Sequence, residues 1–577
     1  MPPVAFEEQT RPPRVFLACK IAILIFAFAI TWYTGHRGVF LMDQSTVFDG
    51  GWRVLQGQTP YRDFYLAFGP LTFWIQAAFF RIFSVNFSSM VLAAAIVNVI
   101  AAASVMRMAH LLWKGATYWT LIPGWITAIW FQPPHGTLSV EQVAFLFNVL
   151  ALQCLLESGD LATLRSCLFT ILSGYLAVLA CLSKQNAGAF FFPVCIGVIL
   201  IQSLVSIRRL IGRLFLFAAG AAGMGYLFYF WLQNYSDPQM FWRHAIEVAA
   251  EIGKTRIAGH PLRLAENLFF CLKTPRSAIL PSLLGILIGP GLLMLGALNR
   301  RLGLQRLRAL TVAGLLLLAL PLYQNLLVAV TLTEPLNTEP FIGLLLFLLI
   351  LVLVSLLRFA YAIGLPLSDT VLSLRIPSRR FVGGAIAAVL LIMIGWVTAA
   401  GINIARFGIV RGFSYNTRFI SRLNVPGMKL VYWAEPTDIP EKNDPVIIRK
   451  EDFEELVRYL ESRSGNFFVA GDATMLYGLL QRPSPQPLLY CQPERSFTAG
   501  DIPALDQKIL RALEAHNIQT VVREQFAFFG TQPAFAAFPE TWSWLNRQFQ
   551  PARKFGIFEV WERKSGSPSS LTSAAPM

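Results

Sequence analysis

Apolar runs of about 20 residues, the length a helix needs to cross a bilayer, recur along this 577-residue chain as far as position 402. A soluble core has no use for that many uniformly apolar segments of one length. Charge agrees: 14% of residues are charged, against roughly 25% in soluble globular domains. The fold class that follows is a polytopic α-helical membrane protein. About eleven transmembrane helices are expected, near 15–34, 88–112, 116–131, 140–157, 163–183, 187–206, 212–233, 277–297, 309–331, 340–360 and 381–402. The first run, Val15 to Tyr33, is long enough to span and no small-residue cleavage site follows it, so it reads as a helix and not as a cleaved signal.

The formal net charge of +15 invites a nucleic-acid reading, but its distribution argues against one. Residues 403–577 carry 20 Lys and Arg against 18 Asp and Glu, and the preceding part carries 28 against 15. The excess lies in the loops of the membrane part. Arg11 and Arg14, Lys114, Arg208, Arg209 and Arg213, the cluster Arg300, Arg301, Arg306 and Arg308, and Arg375, Arg379 and Arg380 all fall on one side if the N-terminus is cytoplasmic. The odd number of spans then puts the C-terminal part outside. Multi-pass insertion in a bacterial inner membrane is the expected location, with no nucleic acid among the partners.

Three units are expected. Residues 1–402 form the transmembrane domain, with outer loops at 35–87, 132–139, 234–276 and 332–339. Residues 403–565 form a soluble extracytoplasmic α/β domain, and 566–577 a Ser-, Pro- and Ala-rich disordered tail. In the first outer loop a short helix is predicted near 45–56 and an interfacial one near 71–84. The third contains amphipathic stretches at 239–252 and 262–273. In the soluble domain Phe453, Leu456, Val457 and Leu460 share a helix face, strands are predicted at Phe467–Ala470, Thr520–Val522 and Phe555–Val560, and a helix near 503–515. Of seven cysteines, Cys19, Cys154, Cys167, Cys181 and Cys195 lie in or beside apolar runs as inert side chains; Cys271 and Cys491 fall on the outer side. There is no CxxC, GxGxxG, P-loop, GxSxG or HExxH.

Chemistry concentrates in the outer loops. Asp43 and Asp49 lie just beyond the first span. Asp43 suits a general base at the membrane surface, or equally a helix-capping residue ahead of Ser45 and Thr46. Asp49 competes as base, although its Phe-Asp-Gly-Gly-Trp setting suits a turn or a close backbone approach. Arg62 and Asp63 either pair with each other to pin the loop, or Asp63 orders the Asp43 loop or touches a sugar hydroxyl. Lys184, at the outer end of the fifth span beside Gln185 and Asn186, suits a phosphate at the bilayer surface, or is a snorkelling lysine. Arg243 and Arg256 are further phosphate contacts. His244, Glu247 and Glu251 share a helix face; they form a divalent-cation site or, without a third clear ligand, a solvated face. His135 and Glu141, bracketing the start of the fourth span, are a further weak pair, and Glu334 with Glu339 makes the fourth loop acidic, either to bind hydroxyl groups or as solvated side chains.

One stretch goes further. Met42-Asp43-Gln44, then Gln56-Gly57-Gln58-Thr59-Pro60-Tyr61-Arg62-Asp63-Phe64, then Gly69-Pro70-Leu71 resembles the first outer loop of polytopic GT-C-fold glycosyltransferases, the group of the bacterial relatives of protein O-mannosyltransferases and the lipid A aminoarabinose transferase. Ser183-Lys184-Gln185-Asn186 and the topology are similar to theirs as well. Gln44 departs from the Asp-Glu pair that many members carry, which leaves Asp43 as the base of the pair and weakens the case for a metal. The resemblance implies a GT-C-like transmembrane domain that transfers a sugar, with inversion, from a polyprenyl-phosphate donor to an envelope glycan, lipid or protein. It implies Asp43 as catalytic base with Asp49 and Asp63 supporting or alternative, and Lys184, Arg243 and Arg256 on the donor phosphate. Tyr61, Arg62, Gln185, Asn186, His135, Glu141 and Glu334 would be on the sugar or acceptor. The resemblance implies no certain cofactor, and a divalent cation stays open. The alternative is a transporter or flippase of a lipid-linked glycan. Its midplane charges and repeated, broken helices find no counterpart in this sequence.

Overall fold

The computed structural model describes residues 14–39, 41–65, 67–113, 118–159, 163–203, 206–258, 304–331, 341–351, 379–407, 417–436, 449–489, 497–525 and 536–564. Six of the described helices are long and apolar enough to cross a membrane: Arg14–Gly35, Phe87–Leu112, Val140–Glu157, Leu164–Ser183, Gln185–Ser203 and Ile207–Tyr235. In chain order the elements are α1 (Arg14–Gly35), α2 (Leu41–Leu55), α3 (Leu71–Phe83), α4 (Phe87–Trp113), α5 (Ile122–Trp130), α6 (Val140–Glu157), α7 (Leu164–Ser183), α8 (Gln185–Ala189), α9 (Phe192–Ser203) and α10 (Ile207–Tyr235). After α10 come α11 (Pro238–Phe241), a π-helical stretch Trp242–Val248, α12 (Ala249–Ala258), α13 (Leu304–Thr331) and α14 (Arg379–Phe407). Apolar stretches of shorter length include Thr311–Gln324, within α13, and the helix Ile342–Leu351.

Helix ends follow local chemistry. The Ser139 and Thr163 hydroxyls accept from the backbone N–H groups of Gln142 and Ser166, capping α6 and α7. Small residues let α7 and α10 pack closely. A Cβ on Gly174 would run into the Phe217 carbonyl, and one on Gly220 into the Ile171 carbonyl, so α7 and α10 touch backbone to backbone. Buried amides tie the bundle across helices. Asn98 Nδ2 donates towards Ala27 O (3.1 Å), Thr31 Oγ1 (2.9 Å) and Ala128 O (2.8 Å). Asn148 and Tyr323 both donate to Ala187 O.

Some expected spans differ. The run near 116–131 is a 3-10 turn, Tyr118–Leu121, followed by the nine-residue α5, too short to cross alone. The run near 187–206 is the candidate span Gln185–Ser203, with a turn at Phe190 and Phe191 between α8 and α9. The helix expected at 45–56 begins at Leu41, and the interfacial helix near 71–84 is α3. The span near 277–297, the stretch 262–273, Cys271 and Cys491 lie outside the described residues. Cys154 and Cys195 are buried, whereas Cys19, Cys167 and Cys181 are half-buried.

The bundle has two chemically distinct ends. At one end Arg107 and Arg165 flank Glu157, and Arg213 donates to Gly159 O and Gln202 Oε1. At the other lie the C-terminus of α1, the helices α2 and α3, the starts of α4 and α6, and the end of α7, all close to the C-terminal domain. That domain has a two-stranded sheet, β1 (Thr417–Arg422) with β2 (Tyr432–Pro436), held to the end of α1 by Tyr432 N–H to His36 O (2.8 Å). Its main sheet runs β3-β4-β6-β5, formed by β3 (Asn466–Ala470), β4 (Ile518–Glu524), β5 (Phe549–Phe555) and β6 (Phe558–Arg563). β3 and β4 are parallel, as expected of strands joined through a helix, here Ile502–Ala515. The strand expected at 555–560 is the β5–β6 hairpin, turning at Gly556 with φ +55°. One sheet face packs on Lys450–Glu461 through Phe453, Leu456, Val457 and Leu460.

At the end of β4 the buried Glu524 accepts the Ala473 N–H (2.8 Å). Burial, with the nearby Asp472 carboxylate adding to it, pushes Glu524 up to about 8. Its unfolded value lies near the ordinary 4.5, so the folded chain holds the extra proton between the two. Stability therefore falls as pH rises from about 5 to about 8. Thermal unfolding of the protein in detergent between pH 5 and 9 should show that decline, and Glu524→Gln should flatten it.

Candidate active site

The first turn of α2 carries Asp43 and the last turn Arg53, both oriented favourably to the helix dipole. The helix closes at Gly57, φ +86°, with Gln58 N–H reaching back to Arg53 O (2.9 Å). Asp43 is exposed, whereas Gln44, Ser45 and Thr46 beside it are buried. Gln44 Nε2 donates to Thr137 Oγ1 (3.2 Å). This joins the start of α2 to the 132–139 loop, which Gln132 stiffens by donating to Thr137 O (2.5 Å). The loop also abuts the end of α1: Gly35 and Gly136 meet with no room for a Cβ on either.

Directly after that loop, Glu141 in the first turn of α6 forms an ion pair with Lys184, which caps the end of α7. Lys184 is 7% exposed, so this ammonium is a buried group with a dedicated partner and not a lysine snorkelling to water. Its Nζ also lies 5.9 Å from the centre of the Phe68 ring. The buried His135 feels both charges. Burial lowers its pKa, Glu141 opposes this and Lys184 adds to it, and the net shift is downward.

The loop from Thr59 to Pro70 forms the facing wall. Asp63 accepts the Thr59 N–H (2.7 Å) and pairs with Arg62 (2.8 Å). Burial alone would raise the Asp63 pKa, but Arg62 and the Thr59 N–H outweigh it and hold the carboxyl low. Arg62 also reaches Tyr235 O (3.4 Å). Tyr61, fully buried at φ +67°, donates to Phe68 O. Gly69 touches the Leu182 carbonyl so closely that no Cβ fits, and Thr72 Oγ1 lies 2.6 Å from Ser183 Oγ. Gln185 Nε2 donates to Ala67 O (2.7 Å) and Ala245 O (2.5 Å), joining this loop to the π-helical stretch. Asn186 bonds only locally in what is described, its Oδ1 accepting Ala187 N–H (2.8 Å).

The structure therefore brings His135, Glu141, Lys184 and Gln185 together against the Tyr61–Pro70 loop, with Asp43 tied in through Gln44 and Thr137. Asp49 is placed differently. It is fully buried, with Oδ2 on Arg53 Nε (2.9 Å) and Oδ1 on Ser484 Oγ (2.5 Å). Burial raises its pKa while Arg53 and Ser484 lower it. The Phe-Asp-Gly-Gly-Trp motif is a packing face. A Cβ on Gly50 would strike the Phe73 ring, and one on Gly51 would lie 2.6 Å from Gln76 Cγ. Arg243 is engaged by Asp501 (2.9 Å), Glu247 (3.1 Å) and Glu251 (3.0 Å), which raise its pKa. The side chain of Arg256, and Glu334 and Glu339, lie outside the described residues. Among the described residues no group of three His, Cys, Asp or Glu is placed to hold a metal ion. Ser484, Gln486, Asp501 and Lys508, whose Nζ lies 4.3 Å from the Tyr65 ring centre, were not legible in the sequence. Each meets its partner only across more than 250 residues of chain.

No known family profile matches the sequence, and no curated protein matches it. Solved structures do. ArnT from Cupriavidus metallidurans bound to undecaprenyl phosphate superposes over 96% of this chain and 98% of its own, with a TM-score of 0.51 at 13% identity. The apo structure of the same protein covers 94% and 97%, at TM-score 0.44 and 12% identity. The arabinofuranosyltransferase AftD from Mycobacteria covers 96% of this chain and 40% of its own, at TM-score 0.43 and 13% identity. Over 96% of its length the chain shares the fold of ArnT: a polytopic, GT-C-like helical domain followed by a C-terminal α/β domain.

Proposed function

We propose that this chain is a membrane glycosyltransferase that moves a sugar from a polyprenyl-phosphate donor to an extracytoplasmic acceptor, with inversion at the anomeric carbon. The observation that carries the proposal is the end-to-end match to a fold solved with undecaprenyl phosphate bound. In this chain an exposed carboxylate and a buried ammonium occupy the same end of that fold. The Asp43 carboxylate takes the proton of the acceptor nucleophile as it attacks the anomeric carbon. The bond from that carbon to the donor phosphate breaks, and polyprenyl phosphate leaves with the electron pair. Lys184, held in place by Glu141, balances the charge that develops on the leaving phosphate. Arg243 takes no part, because three carboxylates already hold it. His135 and Gln185 line the sugar side. The basic end of the bundle faces the cytoplasm, which puts the site and the C-terminal domain outside a bacterial inner membrane.

The test is purified protein in detergent with a panel of radiolabelled polyprenyl-phosphate sugars and an envelope acceptor fraction. Label should reach the acceptor with equimolar release of polyprenyl phosphate. Lys184→Ala should raise the donor KM by about tenfold or more, the scale of one charge-assisted contact. Lys184→Arg should recover part of it. A donor KM unchanged in Lys184→Ala would remove Lys184 from the phosphate site. The second reading, a flippase of a lipid-linked glycan, predicts that every donor is recovered intact.

A further inference from the structure

We infer that Ser484 and Gln486 of the C-terminal domain are positioning residues of the transfer site, acting through α2 on Asp43. The inference rests on the reading of Asp43 as the base. α2 is the one element that carries both Asp43 and the main grip of the C-terminal domain on the outer loop. Arg53 Nη1 donates to Gln486 O (2.6 Å), Ser484 Oγ to Asp49 Oδ1 (2.5 Å), Gln58 Nε2 to Ser484 O (3.3 Å) and Trp52 Nε1 to Arg482 O (2.9 Å). Tyr65 N–H adds a backbone bond to Pro487 O (2.7 Å). Above them the short helix Met475–Leu479 rests on α2, where a Cβ on Gly478 would lie 2.8 Å from Phe48 Cε1 and 3.2 Å from Trp52 Cβ. The opposite face of α2 is pressed on α3 at Gly50 and Gly51. The helix is thus clamped between the membrane domain and the C-terminal domain.

The chemistry of the clamp argues for placement over mere adhesion. An Asp–Arg pair with side chains 0% and 1% exposed is a poor way to gain stability, because desolvation takes back most of the attraction and apolar residues of the same size would serve as well. What the pair provides is direction. The carboxylate is held from two sides, by Arg53 and Ser484, and the guanidinium is aimed at one carbonyl. Asp43 lies six residues up the same helix, about 9 Å along its axis, so a small tilt or rotation at Asp49 moves the Asp43 carboxylate. A misplacement of about 1 Å in a reacting group can cost about a hundredfold in rate.

The test compares Ser484→Ala with Ser484→Thr, which keeps the hydroxyl, in the full-length protein. Two readouts are taken: hydrogen exchange of the Leu41–Leu55 amides, and kcat with donor KM. The expected result for Ser484→Ala is faster exchange confined to α2 and the Tyr61–Pro70 loop, kcat down about tenfold and donor KM unchanged, with Ser484→Thr restoring both. Unchanged exchange and kcat in folded Ser484→Ala would overturn the inference, as would a loss expressed only in donor KM. If Ser484→Ala does not fold, Trp52→Phe, which removes the bond to Arg482 O and keeps a ring, carries the same comparison. If the wild type transfers no sugar, the glycosyltransferase reading fails by itself. The exchange arm then decides the coupling: faster α2 exchange upholds it and unchanged exchange overturns it.

Discussion

Asp43→Asn protein, inserted and folded like the wild type, should transfer sugar at a rate lower by about a hundredfold to ten-thousandfold, the span that a positioned general base contributes. The substitution keeps shape and removes only the charge that accepts the proton. Asp43 is exposed at the start of α2, so its loss should barely move thermal stability. Glu141 holds Lys184, Asp63 holds Arg62 and the Thr59 N–H, and Asp49 holds Arg53 and Ser484. Asp43→Glu keeps the charge but shifts it by about one methylene, and should retain measurable activity. Donor KM should be little changed in Asp43→Asn, because the phosphate contact lies with Lys184. Initial rates at saturating donor check this, and full activity in Asp43→Asn would remove it as base.

Arg53→Met should cost about 3–5 kcal/mol of stability, the scale for stranding one partner of a buried ion pair. With Arg53 gone, the Asp49 carboxylate keeps only Ser484 inside a site with 0% exposure. Gln486 O loses its donor at the same time. Thermal unfolding in detergent, followed by tryptophan fluorescence, should show the drop. Asp49→Leu combined with Arg53→Met should regain most of it, since removing both charges removes the stranded one. The double variant should still transfer sugar poorly despite its recovered stability, because an apolar pair packs α2 without directing it. Equal loss in the double and single variants would contradict the assignment of the pair.

The membrane helices were legible almost to the residue where an apolar run ends in a capping hydroxyl, as at Ser139 and Thr163. Length and cap are local properties, and a bilayer leaves few alternatives to a helix. Asp43, Lys184 and the Tyr61-Arg62-Asp63 turn were visible as candidates; the Asp49–Arg53 pair was not, although four residues is ion-pair spacing on a helix. What stayed hidden was which partner each group takes. Arg243 reads as a free cation until Asp501, 258 residues away, is placed beside it. Asp49 reads as a possible base until Ser484, 435 residues away, covers it. The turn between α8 and α9 is equally silent, because the run from Ala187 to Ser206 is apolar throughout its middle. The strand expected at 555–560 covers the turn at Gly556 and the start of β6; the other arm, β5, is silent in the sequence because it is exposed between its buried ends, Phe549 and Phe555, and shows no alternating pattern.

The most direct test of sugar transfer as the function uses proteoliposomes containing a polyprenyl-phosphate sugar labelled in both the sugar and the lipid. The account predicts that wild-type protein parts the two labels, with sugar on the acceptor and lipid recovered as polyprenyl phosphate, and that Asp43→Asn leaves them joined. Labels that stay joined in the wild type while the donor moves between leaflets would contradict it, and would make the chain a carrier of lipid-linked sugars.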